Sequence, residues 1–141
     1  MIDIRKSDVA ETGLTRRLVD IMDVHANEAG HPYQEGTLGL TAWDGETFAG
    51  GAEYQMNYGW CFLKLLAVEP AFRGRDVGSR LMDELERLMQ AEGAIGIWLD
   101  TYGYQAAPFY TRHGFEEFGR LAGATPNEDR IFMRKLLGAN A

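Results

Sequence analysis

Residue types that build disulfides and metal sites are scarce in this chain of 141 residues. Cys61 is its one cysteine, so an intrachain disulfide is excluded. The three histidines, His25, His31 and His113, lie far apart without a metal-ligand spacing, and no metal site is expected. No apolar run approaches the ~20 residues of a membrane-spanning helix. We therefore expect a cytoplasmic protein that does not enter a membrane.

Positive charge is also in short supply. Asp and Glu together number 21 and Lys and Arg 14, which gives a net charge of −7. A protein that binds nucleic acid or an anionic membrane over a broad surface is normally basic, so both classes are disfavoured. The acidic balance weakly favours an amine-bearing partner. Length and ordinary apolar content predict a single domain over residues 1–141.

The most informative stretch runs from Leu65 to Leu81. An apolar strand ends at Pro70, because proline cannot donate to a sheet ladder. A loop with Arg73, Gly74 and Arg75 follows, and an amphipathic helix begins near Val77. The first N–H groups of a helix lack internal partners and lie at the positive end of its dipole. The stretch therefore predicts a binding site for a phosphate.

The segment 73–78 reads Arg-Gly-Arg-Asp-Val-Gly. It lacks the lysine of a P-loop and the G-x-G-x-x-G spacing of a dinucleotide fingerprint. It fits [QR]-x-x-G-x-[GA], with Asp76 in place of the first motif glycine. A second segment, 100–115, ends in A-x-x-F-Y-x-x-x-G-F, with Ala106, Phe109, Tyr110, Gly114 and Phe115 at the matching positions. The alternative for the first segment alone is an ordinary strand, turn and helix with an arginine-rich solvated turn.

The remaining elements follow from periodicity and turn residues. Strands are predicted at Ile2–Arg5, Thr37–Trp43, Thr47–Met56, Trp60–Val68 and Ile95–Thr101, with a last antiparallel pair at Phe115–Leu121 and Arg130–Leu136. Helices are predicted from Asp8 to about Asn27, after the Arg-rich loop, and over Gln105–His113. The order strand, helix, strand predicts that Ile95–Thr101 is parallel to Trp60–Val68. Tyr33–Gly36 is expected to be a loop or short helix.

The two motifs, in this order, resemble those of the GCN5-related N-acetyltransferase (GNAT) superfamily. The resemblance implies an α+β (α/β) fold, the acyl-CoA N-acyltransferase fold, with a mixed central sheet of about seven strands flanked by about four helices. Two departures stand out. Asp76 replaces a motif glycine, and Gly103 stands where many members carry a cofactor-contacting asparagine. The family glycine suggests a positive φ, which aspartate tolerates better than most residues.

The resemblance implies acetyl-CoA as co-substrate and no metal. The Trp60–Val68 and Ile95–Thr101 strands would splay apart around the pantetheine arm. Backbone groups at Leu66, Ala67 and Val68 would bind that arm, and an N–H near Leu66 would polarise the thioester carbonyl. The pyrophosphate would lie on the loop of Arg73, Gly74, Arg75, Asp76, Val77, Gly78 and Ser79.

Tyr110 matches the tyrosine that acts as a general acid in this superfamily. At an unperturbed pKa of about 10 it stays protonated at neutral pH and can donate to the departing sulfur. Glu53, on the strand beside the proposed cofactor strand, is a candidate base for the amine. The alternatives are a packing role for Tyr110, a solvated carboxylate at Glu53, and deprotonation through water.

The resemblance implies transfer of an acetyl group from acetyl-CoA to a primary amine by direct attack, and the amine is expected to belong to a small molecule. Two alternatives stay open: acetylation of a protein lysine or N-terminal amine, and a non-catalytic acyl-CoA-binding module. A monomer and a homodimer are both compatible with the sequence. Acceptor loops vary freely on a shared scaffold, so the acceptor itself is not predicted.

Overall fold

The structure is a computed structural model, and it describes residues 1–33 and 36–138. Contacts divide the chain into two compact units, Met1–Tyr33 and Gln34–Ala141. The middle of the predicted loop at Tyr33–Gly36 lies outside the described residues. No helix of the described residues is long and apolar enough to span a membrane.

The first unit contains two helices, α1 (Val9–Thr12) and α2 (Leu14–Glu28). Asp8 caps α1, where its carboxylate accepts hydrogen bonds from the N–H groups of Ala10 and Glu11. Gly13, with φ of 63°, separates the two helices, because the left-handed region costs glycine little. The single helix predicted from Asp8 is therefore divided at Gly13.

The predicted strand at Ile2–Arg5 is wrong, since these residues are not in a strand. Their alternation of apolar and polar residues satisfies the local preference of a strand. A strand also needs a hydrogen-bonded neighbour, and Ile2–Arg5 has no such neighbour among the described residues. The sheet accordingly has six strands in the described part of the chain, against about seven predicted.

The second unit contains that sheet. Its strands are β1 (Leu38–Asp44), β2 (Thr47–Asn57), β3 (Trp60–Val68), β4 (Gly96–Tyr102), β5 (Glu116–Leu121) and β6 (Arg130–Leu136). The spatial order is β1-β2-β3-β4-β6-β5. All neighbouring pairs are antiparallel except β3 and β4, which are parallel as predicted. A parallel pair needs a crossover connection, and α3 (Val77–Glu92) supplies it.

Helix α3 presents one apolar stripe to the sheet, at Leu81, Met82, Leu85 and Met89, and all four side chains are buried. They join a core that includes Cys61, Leu63, Ile97 and Leu99 from the central strands. The short helix α4 (Ala107–Arg112) adds Tyr110 to the same core. Both helices thus pack with one face of the sheet, and the end of β3 and the start of α3 lie near α4.

Candidate functional site for an acyl coenzyme

Strands β3 and β4 are paired only at their beginnings. In the described ladder the pairs are Trp60 with Gly96, Cys61 with Ile97 and Phe62 with Trp98. Beyond the last pair, β3 remains paired with β2 as far as Val68, and β4 with β6 as far as Tyr102. The two central strands therefore separate in the middle of the sheet, as the resemblance implied.

A β-bulge marks the place where they separate. Tyr54 of β2 pairs with Leu63, and Glu53 pairs with Leu65, which leaves Lys64 without an opposite residue in β2. A bulge bends its strand and increases the local twist. Because Lys64 follows closely on the last β3–β4 pair at Phe62, the bulge accounts for the divergence of β3 from β4.

The backbone of β3 has hydrogen-bonding groups on the open side. The N–H of Glu69 donates to the carbonyl of Ala49 in β2 at 2.8 Å. In an antiparallel ladder the direction alternates, so Ala67 also faces β2, whereas the N–H and C=O of Leu66 and Val68 face the gap toward β4. These are groups that an extended amide-containing chain can pair with, as a further strand would.

The loop after β3 connects the open edge of that strand to the start of α3. A 3₁₀ turn at Pro70–Phe72 is followed by Gly74 with φ of 75° and Asp76 with φ of 61°. The first internal hydrogen bond of α3 is from the N–H of Arg80 to the carbonyl of Asp76 at 2.9 Å. The preceding N–H groups of Val77, Gly78 and Ser79 have no acceptor within the helix. The loop thus has the geometry expected of an anion site.

Side-chain charges around the loop are distributed unevenly. Asp76 is exposed and makes no side-chain cap to α3, so its expected positive φ is confirmed while its carboxylate stays in solvent. Arg75 lies over the ring of Phe72 at 4.9 Å and approaches Asp44 of β1 at 3.9 Å, so it is drawn toward β1 instead of Asp76. Arg73 is exposed and has no ion pair within the described residues.

Helix α4 packs against the start of α3 through the ring of Phe109. A Cβ placed on Gly78 would lie 3.5 Å from the ring of Phe109 and 3.7 Å from Cγ2 of Val68. The end of β3, the start of α3 and α4 therefore meet at Gly78. A larger residue there would push the three elements apart, which is a physical reason for the second motif glycine.

Tyr110, next to Phe109, is 8% exposed and packs edge-on against Phe109 and Phe115. Its hydroxyl makes no hydrogen bond in the described part of the chain, and no fully enclosed side-chain N or O atom there lacks a partner, so the hydroxyl keeps some contact with solvent. Burial raises the pKa of Tyr110 to about 12. The phenol is thus neutral at physiological pH and has a free proton to donate in a hydrogen bond.

Glu53 lies on the other face of the sheet. Its neighbours in β2, Ala52 and Tyr54, are buried in the core, whereas Glu53 is exposed, since successive strand side chains alternate between faces. It lines a cavity of about 520 Å³ together with Leu65, Ala67 and Val68 of β3. Glu53 and Tyr110 are therefore not adjacent on one surface, and they approach the separated strands from opposite sides.

Sequence reasoning missed the role of Gly103. A Cβ on this residue would lie 2.6 Å from the carbonyl oxygen of Pro126 and 3.2 Å from Asn127. The N–H of Gly103 donates to the carbonyl of Asp129, and that of Tyr104 donates to Asn127. The connection between β5 and β6 therefore lies directly on Gly103, and an asparagine does not fit this backbone. The signal was present only as a departure from the family pattern.

Among the described residues, no group of three or more His, Cys, Asp or Glu side chains is placed to hold a metal ion. Burial raises the pKa of the Cys61 thiol to about 12, and Cys61 has no exposed surface. Cys61 is therefore a core residue.

Known proteins resemble the chain in sequence and fold. The profile of the acetyltransferase (GNAT) family matches residues 10–115. A blasticidin-S acetyltransferase of Streptomyces morookaense is 36% identical over 80 residues, which is 56% of each chain. The curated relatives are matched over 53% to 67% of their own length.

Solved structures agree over more of the chain. An acetyltransferase from Agrobacterium tumefaciens has a TM-score of 0.85 at 23% identity, covering 96% of this chain and all of that one. A streptothricin acetyltransferase from Bacillus anthracis, in complex with acetyl coenzyme A, has a TM-score of 0.65 at 19% identity, covering 78% of this chain and 68% of that one. The chain therefore belongs to the acetyltransferase (GNAT) family, the acetyl-CoA-dependent acetyltransferases, and has the GNAT fold.

Proposed function

We propose that this chain transfers the acetyl group of acetyl-CoA to a primary amine of a small molecule. The observation that carries the proposal is the separation of β3 from β4 after Phe62 and Trp98, beside a loop of free N–H groups. The family match runs from the first unit into the second, which supports one GNAT domain over the chain.

The residues present fit the donor. Leu66 and Val68 offer backbone N–H and C=O groups to the amides of the pantetheine arm, and Ala67 lies between them with an exposed side chain. The N–H groups of Val77, Gly78 and Ser79 bind the pyrophosphate at the positive end of α3. Gly74 and Asp76 shape the loop, and Arg73 and Arg75 add positive charge beside it.

Catalysis of this reaction depends more on holding the amine next to the thioester than on a strong general acid. A neutral amine attacks the thioester carbon, the C–N bond forms, and a tetrahedral oxyanion results. The N–H of Leu66 faces the gap and stabilises that oxyanion. The C–S bond then breaks, the sulfur takes the electron pair, and the amine proton passes to water or to Glu53. Positioning alone contributes about 7–11 kcal/mol in favourable cases.

Tyr110 assists the departing sulfur by hydrogen bonding rather than by full proton transfer. An ordinary thiol has a pKa of about 8.5, and each pKa unit corresponds to about 1.4 kcal/mol. With the pKa of Tyr110 raised to about 12, complete transfer to the thiolate would be uphill by about 5 kcal/mol. Burial thus changes the expectation for an unperturbed phenol, whose pKa would be closer to that of the thiol.

A small-molecule acceptor is supported by one relative and by the charge of the chain. The relative from Streptomyces morookaense, which is 36% identical over 80 residues, is named a blasticidin-S acetyltransferase. The net charge of −7 also favours cationic acceptors that are drawn to an acidic surface.

Release of CoA thiol, measured over a panel of amines with the full chain, tests the proposal. The panel contains polyamines, aminonucleoside and aminoglycoside antibiotics, amino acids, a lysine peptide and a peptide with a free N-terminus. Turnover with a small amine, and none with the peptides, is the expected result. Turnover confined to peptides would reassign the acceptor, and binding of acetyl-CoA without turnover on any amine would reduce the chain to a binding module.

Binding of the donor is tested separately by thermal melts with and without acetyl-CoA. A ligand that binds only the native state stabilises it by about 2.7 kcal/mol at a hundredfold excess over the dissociation constant. Desulfo-CoA is the matched control, because it keeps the phosphates and lacks the thioester. No shift of Tm at millimolar acetyl-CoA would overturn the assignment of the donor.

A further inference from the structure

The hydroxyl of Ser79 and the imidazole of His113 are joined across two helices. Ser79 Oγ and His113 Nε2 are 3.0 Å apart, although the residues are 34 positions apart in the sequence. Ser79 is the third residue of α3, within the loop that binds phosphate in the proposed function, and His113 follows the last residue of α4. The His113 side chain is 17% exposed. The contact thus lies at the edge of the donor site, partly protected from solvent.

We propose that His113 is a positioning residue that orients the Ser79 hydroxyl as a hydrogen-bond donor to the phosphates of coenzyme A, and that it takes up a proton when they bind. This inference rests on the proposed function, because it requires the phosphates at the start of α3. It assigns to His113 a role that the two sequence motifs do not contain.

The hydroxyl of Ser79 can donate to only one acceptor at a time, either the imidazole or a phosphate. A serine hydroxyl has one proton to donate. If His113 Nε2 is unprotonated, that proton is directed to the ring and cannot reach a phosphate. If Nε2 carries a proton, the ring donates to Ser79 Oγ and the hydroxyl proton is free for an anion. A phosphate at this position therefore selects the state in which Nε2 is protonated.

The other ring nitrogen decides which protonated state that is. Nδ1 of His113 lies 3.9 Å from Oδ1 of Asp83, too long for a hydrogen bond but close enough for charge attraction. A carboxylate on that side favours a proton on Nδ1. With Asp83 on one side and a phosphate acting through Ser79 on the other, the anion-bound state favours protons on both ring nitrogens. Binding of the anion is therefore expected to favour the protonated ring.

Other groups around His113 hold the ring in place. From α4, the ring of Phe109 packs on it with centroids 4.6 Å apart. From β6, Lys135 Nζ donates to the carbonyl of His113 at 2.7 Å and to Glu86 of α3 at 2.9 Å. Lys135 and Glu86 form an ion pair, and Asp83 is the carboxylate that pairs with the imidazole among the described residues. Ser79 and Asp83 of α3 approach the ring itself, whereas Lys135 of β6 and its partner Glu86 of α3 are linked to the backbone carbonyl of His113.

The experiment compares acetyl-CoA with a donor that lacks its phosphates and adenosine. Dissociation constants for acetyl-CoA and for S-acetyl-pantetheine are measured by calorimetry from pH 5.5 to 8.5, with the proton uptake taken from buffers of different ionisation enthalpy. If anion binding selects the protonated ring, the affinity of the wild-type chain for acetyl-CoA should fall roughly 3- to 10-fold over this range, with net proton uptake on binding. S-acetyl-pantetheine should show neither effect.

His113→Leu should weaken acetyl-CoA binding roughly 3- to 10-fold at pH 6 and abolish the pH slope, with S-acetyl-pantetheine unchanged. Ser79→Ala should do the same, and the double variant should be no weaker than either single variant, because one interaction is removed twice. His113→Gln, which keeps an N–H donor, should restore part of the affinity without the pH slope. Arg112→Gln is the control for general charge, since it should lower affinity without changing the slope.

Thermal melts verify that each variant is folded, and His113→Gln replaces His113→Leu if the latter does not fold. A pH slope that persists in both His113 variants would overturn the inference, and so would equal weakening of the two donors. If wild-type chain binds acetyl-CoA and acetylates an amine while these results fail, only the inference falls. If wild-type chain binds neither donor, the proposed function falls with it.

Discussion

Phe62 of β3 and Trp98 of β4 form the last pair of the parallel ladder, and their rings stack with centroids 4.3 Å apart. The strands are joined up to this stack and separate beyond it. The pair therefore lies at the closed end of the gap that the donor is proposed to occupy, and its packing helps to set where the gap begins.

Weakening the stack should loosen the closed end. Trp98→Leu keeps apolar bulk and removes the aromatic pair, which is worth about 0.5–1.5 kcal/mol beyond area burial. A double-mutant cycle with Phe62→Leu, read by urea unfolding, should give a coupling energy in that range. The affinity for acetyl-CoA should fall along with stability. Additive effects of the two substitutions, with unchanged affinity, would contradict this role.

Tyr110→Phe removes the hydroxyl and keeps the buried ring. We expect kcat to fall roughly 10- to 150-fold, since a hydrogen bond to a charged group contributes about 1.5–3 kcal/mol. KM for acetyl-CoA and Tm should change little, because the bond strengthens as the sulfur gains charge. Steady-state kinetics with a small amine provide the measurement. Near wild-type turnover in this variant would leave Tyr110 with a packing role.

Alkaline pH should destabilise the fold through buried acidic groups, among them Tyr110 and Cys61. Burial raises the pKa values of Tyr110 and Cys61 to about 12, from ordinary values of 10.0 and 9.0. As pH rises, the unfolded chain loses these protons at lower pH than the folded chain does. The free energy of unfolding therefore keeps its maximum value below about pH 9 and declines as pH rises toward 12. Tyr110→Phe should flatten part of the decline between pH 10 and 12, measured by urea unfolding.

Tyr104→Phe is the control for that experiment, because Tyr104 is 67% exposed. It should leave the pH dependence of unfolding as in the wild-type chain. Equal flattening in both variants would show that burial of Tyr110 is not the cause.

Asp76 adds negative charge and a strained backbone to the proposed phosphate loop. At about 8 Å, a carboxylate and a phosphate repel by roughly 0.5 kcal/mol in water and about 2 kcal/mol at an effective dielectric of 20. Asp76→Asn removes the charge and still tolerates the φ of 61°, and Asp76→Gly also removes the strain. Both should tighten acetyl-CoA binding about 2- to 10-fold at low salt, and the gain should shrink at high salt. Weaker binding of either variant, by calorimetry, would give Asp76 a positive role.

Gly103→Asn restores the residue that many family members carry, yet it should not improve binding of the donor. The new Cβ would lie 2.6 Å from the Pro126 carbonyl, so the β5–β6 connection must shift, at a cost of about 1–3 kcal/mol. Gly119→Ala is the matched control, because its Cβ would meet Phe132 at 3.9 Å. In denaturant unfolding, the free energy of unfolding should decrease for Gly103→Asn and stay unchanged for Gly119→Ala. Unchanged stability with tighter binding would mean that the connection is easily displaced.

The sequence by itself determined the elements whose causes are local. Pro70 ends β3, Gly93 ends α3, Asp44-Gly45 makes the first hairpin, and the spacing of Leu81, Leu85 and Met89 gives α3 its buried face. The positive φ at Asp76 was also predictable, because the backbone position demands glycine or a residue that tolerates it. The two motifs identified the family through residues in the loop and in α4.

Only the tertiary structure decided how these elements meet. The pairing partners of β3 change after Phe62 because of a bulge at Lys64, and register is not a property of either strand alone. Ile2–Arg5 alternates like a strand yet forms none, whereas Gly103 departs from the family pattern because a distant connection lies on it. Ser79 and His113 come together across 34 residues. Local sequence sets which backbone conformations have low free energy, but packing selects which distant groups come into contact.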